Sequence, residues 1–265
     1  MQNKIEFLLE KLKKKREWHD KPVFCFTSDI DWASEAVMEE YFNILNPHNL
    51  KPTLFVTHES KLIEQNFKAG KLDRGIHPNF LANSSHGENF QEIIETVMRF
   101  APEAKGFRSH RLFDVTDITH MLKDKFGFNY NSNLGTIMKT ESYPIIHESG
   151  LLHYPIFFED GTHLYNKLNL DFKVYEEQFR TPGIKIISYH PMNFVFNSPN
   201  MPFMRNIKDS LSREEYNNIS AETIEKMKNT TEKGIGDTIL DIVSFVKENN
   251  YSIMSLDEIY NETIR

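Results

Sequence analysis

Two carboxylates stand two residues apart directly behind an apolar run. Asp29 and Asp31 follow the segment VFCF at residues 23–26, which has the character of a buried strand. Ionised carboxylates are costly to remove from water, so a strand leaving the core gains nothing from two of them. A single acid there often caps the next helix, but Ser34 is already available for that role. The pair is therefore a candidate for binding a cation or moving a proton.

Further polar side chains follow other predicted strands. His77 comes after RGI with His86 nine residues on, Arg108 and His110 come after KGF, and His190 ends the run IISY. Chemistry in β/α proteins collects where strands end. Taken singly, each residue has a structural alternative, such as a surface ion pair for Arg108. As an ordered set they supply metal ligands, a general base and a general acid.

The elements that must position these residues alternate along the chain. Ile5, Leu8, Leu9 and Leu12 recur at helical spacing and predict an amphipathic helix over about 3–16, with its lysines on a solvated face. Strands are predicted at 23–27, 53–57, 74–76, 105–107, 128–133, 151–158, 183–190 and 251–255. Helices are predicted at 34–45, from 61 onward, at 89–100, 116–127 and 237–250, and in a terminal turn.

This alternation predicts an α/β fold with a parallel sheet covered by helices. At 265 residues a closed or nearly closed β/α barrel fits at least as well as an open sheet. No composition shift divides the chain, so we predict one domain over 1–265. The polar stretch 197–232 is predicted to be a long insertion or lid.

Composition narrows the class of protein. The net charge of −7 argues against a nucleic acid or an anionic membrane as partner. The single cysteine, Cys25, excludes an internal disulfide framework and is expected to be a small core residue. We expect no transmembrane segment and no secretory signal, since the N-terminal apolar stretch is short and charged. A cytoplasmic protein is the resulting expectation.

The order of these motifs resembles the NodB-type polysaccharide deacetylases, carbohydrate esterases with a distorted (β/α) barrel. FTSDIDW (26–32) is similar to the family's first motif, GIHPNFLANSSHG (75–87) to the second and GFRSHR (106–111) to the third. LLHYPIFFED (151–160) is loosely similar to the fourth and IISYHP (186–191) to the last. The resemblance covers about residues 22–192 and is closest to deacetylases encoded among surface-polysaccharide biosynthesis genes.

The resemblance implies a role for each matching residue. Asp29 would be the catalytic base and His190 the catalytic acid. Arg108 would position the base through a charge-assisted hydrogen bond. In the fourth motif, Glu159 and Asp160 are candidates for substrate contact.

The resemblance also implies one bound divalent metal ion. Asp31 and His77 match two of the family's ligands, but the second histidine, normally four residues after the first, falls at Leu81 here. We therefore assign His86 as the third ligand. His110 replaces a family proline and is a further candidate to face the site as a substrate contact or as the alternative ligand. Zinc suits two imidazoles and a carboxylate best, and cobalt, nickel or iron fit the same ligands.

The implied activity is metal-dependent removal of an N-acyl group, acetyl or formyl, from an amino sugar or sugar conjugate in polysaccharide biosynthesis. The substrate would be a small or lipid-linked amino sugar, with the oligomeric state left open. Two alternatives remain: a carbohydrate-binding protein with a degraded site on the same fold, and a hydrolase of a non-sugar amide. The missing histidine at Leu81 keeps the first alternative open.

Overall fold

The computed structural model describes residues 3–265, which form a ten-stranded, mostly parallel sheet surrounded by helices. The strands are β1 Pro22–Asp29, β2 Thr53–Val56, β3 Asp73–Ile76, β4 Gly106–Phe107, β5 Tyr130–Asn131, β6 Ile145–Ile146, β7 Leu152–His153, β8 Ile156–Glu159, β9 Gly183–Tyr189 and β10 Ser252–Ile253.

Thirteen α-helices are found in the same residues. They are α1 Lys4–Leu12, α2 Glu35–Leu45, α3 Lys61–Lys68, α4 Phe90–Met98, α5 Thr116–His120, α6 Asp160–Tyr165, α7 Glu176–Arg180, α8 Pro191–Val195, α9 Met201–Ser210, α10 Arg213–Asn217, α11 Ala221–Met227, α12 Ile235–Glu248 and α13 Leu256–Ile264. Within residues 3–265, no helix combines the length and the apolar character needed to span a membrane.

The sheet curls into an incomplete barrel. Its order is β6-β7-β5-β4-β3-β2-β1-β9-β8, with β10 pairing with the first residues of β1. Only β6 and β7 are antiparallel. The edge strand β8 returns towards the segment after β5, since Ile156 donates to the carbonyl of Leu134 (2.7 Å) and accepts from the amide of Thr136 (3.0 Å). The predicted distorted (β/α) barrel is confirmed.

The central strand β1 shows how the sequence builds this barrel. All eight of its residues are buried, and its side chains alternate between two apolar clusters. Phe24 and Phe26 pack with the surrounding helices, whereas Val23 and Cys25 pack in the barrel interior. Because side chains in a strand alternate with period two, Thr27 and Asp29 continue the interior row towards the end of the strand.

Helices α1 and α13 close the end of the barrel where the parallel strands begin. Leu8 of α1 and Leu256 and Ile259 of α13 belong to the interior cluster, together with the buried Trp18. We therefore expect a functional site at the opposite end, where β1, β3, β4 and β9 finish.

Helix starts follow the predicted caps. The hydroxyl of Ser34 accepts from the amide of Val37 at the start of α2, and Ser60 does the same for Ile63 in α3. Helix α1 ends at Leu12, earlier than predicted, and the predicted helix over 116–127 is α5 followed by a π-helical turn at Met121–Lys125.

The predicted strand over 151–158 is wrong as a single element. The structure has β7 paired with β5 and β6, and β8 paired with β9, with Tyr154 and Pro155 between them. Proline has no amide hydrogen to donate to a ladder, which explains why the pairing changes partner at this point.

The polar stretch 197–232 folds as three short helices, α9 to α11. Ile207, Ile219 and Ile224 are its buried anchors in the helix-side cluster. The Ser34 hydroxyl also donates to the carbonyl of Ile219 (2.7 Å), which ties the stretch to the start of α2. Its role as a lid stays a prediction.

Candidate active site

The acids, imidazoles and guanidinium predicted from the sequence lie at one end of the barrel. Asp29 ends β1, His77 follows β3, Arg108 follows β4 and His190 follows β9. Main-chain hydrogen bonds extend the pairing past the strands: the amide of His77 donates to Val56 (2.8 Å) and that of Arg108 to Ile76 (3.0 Å). The parallel register therefore brings residues from distant parts of the chain together.

Arg108 is fully buried and organises the base of the site. Its Nη1 donates to Asp29 Oδ1 (2.9 Å), Thr27 Oγ1 (3.0 Å) and Ser188 Oγ (2.9 Å). Its remaining nitrogens donate to the main-chain and side-chain oxygens of Ser132, at 2.9 and 2.8 Å. A buried guanidinium with this many partners has one allowed position, so Asp29 is held in place by a charge-assisted hydrogen bond. The predicted contact between Arg108 and Asp29 is present.

Asp31 lies in a different environment, between two imidazole rings. Its Oδ1 is 3.1 Å from His77 Nε2 and 3.0 Å from His110 Nδ1. The two ring nitrogens are 3.4 Å apart. Burial would raise the pKa of Asp31, but the hydrogen bonds from His110 and His77 outweigh it and hold the pKa well below its ordinary value.

These three atoms fit a divalent metal ion. One carboxylate and two imidazoles form the donor set that zinc and its neighbours in the first transition row accept. Bonds of about 2.1 Å at tetrahedral or octahedral angles place ligand atoms roughly 3.0–3.4 Å apart. The observed separations of 3.0, 3.1 and 3.4 Å agree with that spacing.

His86 does not join this group, in which His110 takes the place predicted for His86, and the identity of the third metal ligand stays a prediction. The His86 ring is buried with both nitrogens engaged by the main chain. Nδ1 accepts from the amide of Asn79 (3.2 Å) and Nε2 contacts the carbonyl of Thr57 (2.9 Å). Burial lowers the pKa of His86 to about 4, so the ring is neutral and Nε2 carries the donated hydrogen. His86 therefore holds its loop together.

The backbone is strained in both of the loops that carry Asp31 and His110. Asp31 and Trp32 have positive φ angles of 39° and 59°, and Arg111 and Leu112 have φ angles of 57° and 53°. Non-glycine residues adopt this region at an energetic cost and concentrate at functional sites. The Trp32 ring lies 5.3 Å from the ring of His110 and 5.5 Å from that of His86, so it packs beside both loops.

His190 is held from behind by Asp160. Asp160 Oδ1 lies 2.7 Å from His190 Nδ1, and Oδ2 accepts from the His190 amide (2.9 Å) and from Asn193 Nδ2 (2.9 Å). The other ring nitrogen, Nε2, lies 3.7 Å from Asp31 Oδ2. Burial alone would lower the pKa of His190, but the negative charges of Asp160, Asp31 and Asp29 outweigh it and raise the pKa well above its ordinary value.

Asp160 and Glu159 have positions other than the substrate contacts that we predicted. Asp160 is fully buried, and besides the His190 and Asn193 donors its Oδ1 accepts from the amide of Gly161 (2.7 Å). With its lone pairs occupied, it is a positioning residue and a poor second metal ligand. The Glu159 carboxylate accepts from the amide of Thr162 (3.1 Å) and caps α6. Burial, with the neighbouring charge of Asp160, raises the pKa of Glu159.

Some residues of the site were missed in the sequence. Thr27 and Ser188 bind Arg108, and a signal for them existed, because both sit two positions before a predicted site residue and share its face of the strand. Ser132, which also binds Arg108, follows a two-residue strand with no such pattern.

Fold and site together define a β/α barrel with one carboxylate between two imidazoles, beside a second acid and a histidine that are held separately. A family model described as WbmS-like polysaccharide deacetylase matches residues 26–208. The chain belongs to this polysaccharide deacetylase family. A search of curated proteins found no match.

The chain is also similar to solved structures. A candidate polysaccharide deacetylase involved in O-antigen biosynthesis from Bordetella bronchiseptica is 25% identical, with a TM-score of 0.72 over 84% of this chain and 89% of that chain. A CE4 family pseudoenzyme from Bacillus anthracis is 13% identical, with a TM-score of 0.45 over 97% and 81%. A family 4 acetyl xylan esterase from Clostridium thermocellum, solved with a cobalt ion, is 12% identical, with a TM-score of 0.43 over 90% of each chain.

Proposed function

We propose that this protein hydrolyses the N-acyl group, acetyl or formyl, of an amino sugar or sugar conjugate with the help of one divalent metal ion. The observation that carries the proposal is the separation of the two acids after β1. Asp29 is bound by the Arg108 guanidinium, whereas Asp31 lies between the nitrogens of His77 and His110. One acid is thereby placed to move a proton and the other to bind a cation.

Asp31, His77 and His110 would hold the ion. A divalent ion in such a site polarises an acyl oxygen and makes a water molecule more acidic. Zinc fits this donor set, and cobalt, nickel and iron accept it as well. All three side chains come from short loops behind β1, β3 and β4, so the barrel fixes their spacing.

Asp29 would act as the general base. Its Oδ1 is fixed by Arg108, while the side chain keeps 7% of its surface exposed at the end of the barrel. A carboxylate held in this way can accept the proton of a water molecule attacking the acyl carbon. Among residues 3–265, His77 Nδ1 has no hydrogen-bond partner, and it lies 3.9 Å from Asp29 Oδ1.

His190 would act as the general acid. Asp160 holds Nδ1 and leaves Nε2, on the other side of the ring, directed towards Asp31. The raised pKa of this imidazole favours its protonated form, in which Nε2 can give a proton to the departing amine nitrogen. Breakdown of the tetrahedral adduct would then release the free amino sugar and a carboxylic acid.

The alternative of a degraded binding protein is weakened by His110. That alternative rested on the histidine missing at Leu81, and His110 supplies an imidazole at the position that the sequence seemed to lack. For the sugar substrate, support comes from the family and from the relative described as involved in O-antigen biosynthesis. A lipid-linked or nucleotide-linked form of the sugar belongs to the same proposal.

We also propose that the chain works as one domain and that the stretch 197–232 roofs the site. Tyr216 of α10 is half-buried, and burial together with the charge of Asp31 raises the pKa of its phenol. The hydrogen bond from Ser34, three residues after Asp31, to the carbonyl of Ile219 supports a position of α10 on the Asp31 side of the barrel mouth.

The proposal is tested by measuring acyl release. The purified protein is stripped with a chelator, reloaded separately with zinc, cobalt, nickel or iron, and offered N-acetyl and N-formyl amino sugars in free, nucleotide-linked and lipid-linked forms, beside simple non-sugar amides. We expect acetate or formate from at least one sugar, abolished by the chelator and restored by metal. Release from simple amides alone would favour the non-sugar hydrolase, and no release from any compound would favour the binding protein.

A further inference from the structure

A cavity lies at the end of the barrel that is opposite the candidate active site. It has a volume of about 140 Å³ and is bordered by the segment between α1 and β1 and by the end of α13. Three of its lining residues are basic: Lys11, Lys14 and Arg16. The eight residues of β1, at about 3.3 Å each, separate these cations from Asp29 by roughly 25 Å. The cavity is therefore independent of the site described above.

The three cations lack acidic partners. Within residues 3–265, neither the ammonium groups of Lys11 and Lys14 nor the guanidinium of Arg16 forms an ion pair with a side-chain carboxylate. Two lysines of the same segment do have such partners: Lys13 pairs with Glu10 (2.6 Å) and Lys15 pairs with Asp20 (2.7 Å). The cations that have no side-chain carboxylate as a partner are thus those that line the cavity.

The cations contact main-chain oxygens at the end of α13. Lys11 and Lys14 both donate to the oxygen of Arg265, at 2.8 and 3.0 Å, and Arg16 Nε donates to that of Glu262 (2.8 Å). Even as a carboxylate, the Arg265 group would carry one negative charge against three cations. Desolvation and the positive charges of Lys14 and Arg16 lower the pKa of Lys11, which shows that the three groups repel one another. An excess of positive charge remains at the cavity.

Aromatic side chains form the rest of the wall. The His19 ring stacks on that of Tyr143 with 5.0 Å between centroids, and Trp18 is buried beneath them. His19 Nδ1 is engaged by the main chain of Arg16, which fixes the ring. At about 30 Å³ per water molecule, 140 Å³ is room for a tetrahedral oxyanion with some of its hydration.

We propose that this cavity, lined by Lys11, Lys14 and Arg16, is a binding site for a phosphate group. An oxyanion would accept hydrogen bonds from the two ammonium groups and the guanidinium and would relieve their mutual repulsion. The phosphate is either that of a soluble ester or that of a lipid headgroup, since both offer the same oxygens. The proposal of a phosphate site does not depend on whether the protein removes acyl groups.

The test compares two double variants that remove equal charge from one segment. Lys11→Ala/Lys14→Ala removes two cavity cations, and Lys13→Ala/Lys15→Ala removes two cations that pair with acids outside it. Binding of inorganic phosphate, and of sulfate as a weaker metal ligand, is measured by calorimetry and by thermal shift against chloride at equal ionic strength. Co-sedimentation with phosphatidylglycerol vesicles, against phosphatidylcholine vesicles, probes the lipid source.

We expect wild type and Lys13→Ala/Lys15→Ala to bind alike and Lys11→Ala/Lys14→Ala to bind at least tenfold more weakly. Lys11→Arg/Lys14→Arg should restore binding, which separates loss of charge from loss of folding. Binding of phosphate alone would identify a soluble ester, and binding only to phosphatidylglycerol vesicles a headgroup. If neither probe binds, or if the two alanine variants respond equally, the proposal is wrong and the cations serve only to cap α13.

Discussion

Asp29 accepts a hydrogen bond from Arg108, and Asp31 lies between the rings of His77 and His110, although only Ile30 separates the two acids in the chain. The positive φ of Asp31 turns the backbone immediately after β1 and directs the second acid towards the loops behind β3 and β4. At the residue scale, the chemistry of the site depends on this turn. A regular strand would have kept both side chains on one face with the same neighbours.

The proposed ligand set of Asp31, His77 and His110 leads to a direct prediction. His110→Ala should lose most of the bound metal, because one of three protein ligands is removed. His86→Ala should keep its metal, since both nitrogens of His86 bind main-chain groups instead. Metal content per chain after dialysis, measured by plasma mass spectrometry, checks both. Metal loss in His86→Ala with retention in His110→Ala would restore the original assignment.

At the scale of elements, strand ends and their following turns position the acid. Asp160 begins α6 behind β8, and His190 precedes α8 behind β9, so the pairing of β8 with β9 brings the two side chains together. The sequence places both residues after apolar strands, so their location at the same end of the barrel could have been predicted. The sequence pattern alone did not show that Asp160 faces the histidine and not the substrate, because that depends on the register of β8 against β9.

Replacing Asp160 should change the pH dependence of catalysis. Activity requires protonated His190, so it falls as the pH rises through the pKa of that imidazole. In Asp160→Asn the charge that raises this pKa is gone and burial still lowers it, so the alkaline limb of kcat should move to lower pH. Asp257→Asn is the control, since Asp257 lies on α13 at the opposite end of the barrel, where it accepts a hydrogen bond from Tyr130. If the alkaline limb of kcat lies at the same pH in Asp160→Asn as in wild type, His190 is excluded as the acid.

The His77–His86 loop should make stability depend on pH. The pKa of His86 falls from 6.5 to about 4 on folding, so the unfolded chain binds more protons between these values. The free energy of unfolding should therefore decrease as the pH drops from about 6.5 to 4. His86→Gln, which keeps a donor for Thr57 and cannot be protonated, should show a smaller decrease in urea titrations.

The matched control is His120→Gln. His120 is exposed, and its hydrogen bonds to Glu148 and Asp124 raise its pKa, so its removal should not reduce the loss of stability in acid. Equal pH profiles for wild type and His86→Gln would show that His86 is not buried as a neutral ring.

At the scale of the whole molecule, the sequence predicted the architecture better than the details of the site. Alternating strands and helices, with continuously buried runs such as β1 and β9, are enough to define the barrel, because parallel strands that are covered on both faces form unbroken apolar runs. The third ligand was not predictable by spacing. A loop histidine can bind the main chain or point into the site, and His86 and His110 differ only in which partners the folded loops offer their ring nitrogens.

Strand β1 contributes side chains to both apolar clusters, so we predict that the chain unfolds as one unit. Cys25, the only cysteine, is fully buried in the interior cluster, and burial raises the pKa of its thiol, so it should react only when the barrel opens. Pulse labelling of Cys25 in increasing urea should have the same midpoint as the fluorescence of Trp18 and Trp32, which lie at opposite ends of β1. Separate midpoints would contradict a single cooperative domain.

The most direct test of the central claim, that one acid binds the metal and its neighbour moves protons, compares metal content and turnover of Asp29→Asn and Asp31→Asn. Asp31→Asn should lose both, because a neutral amide is a poor replacement for a carboxylate ligand between two imidazoles. Asp29→Asn should keep about one metal ion per chain and lose on the order of 10²–10⁴-fold in kcat, as expected when a general base alone is removed. Equal metal loss in both variants would contradict this account, since Asp29 would then itself be a ligand.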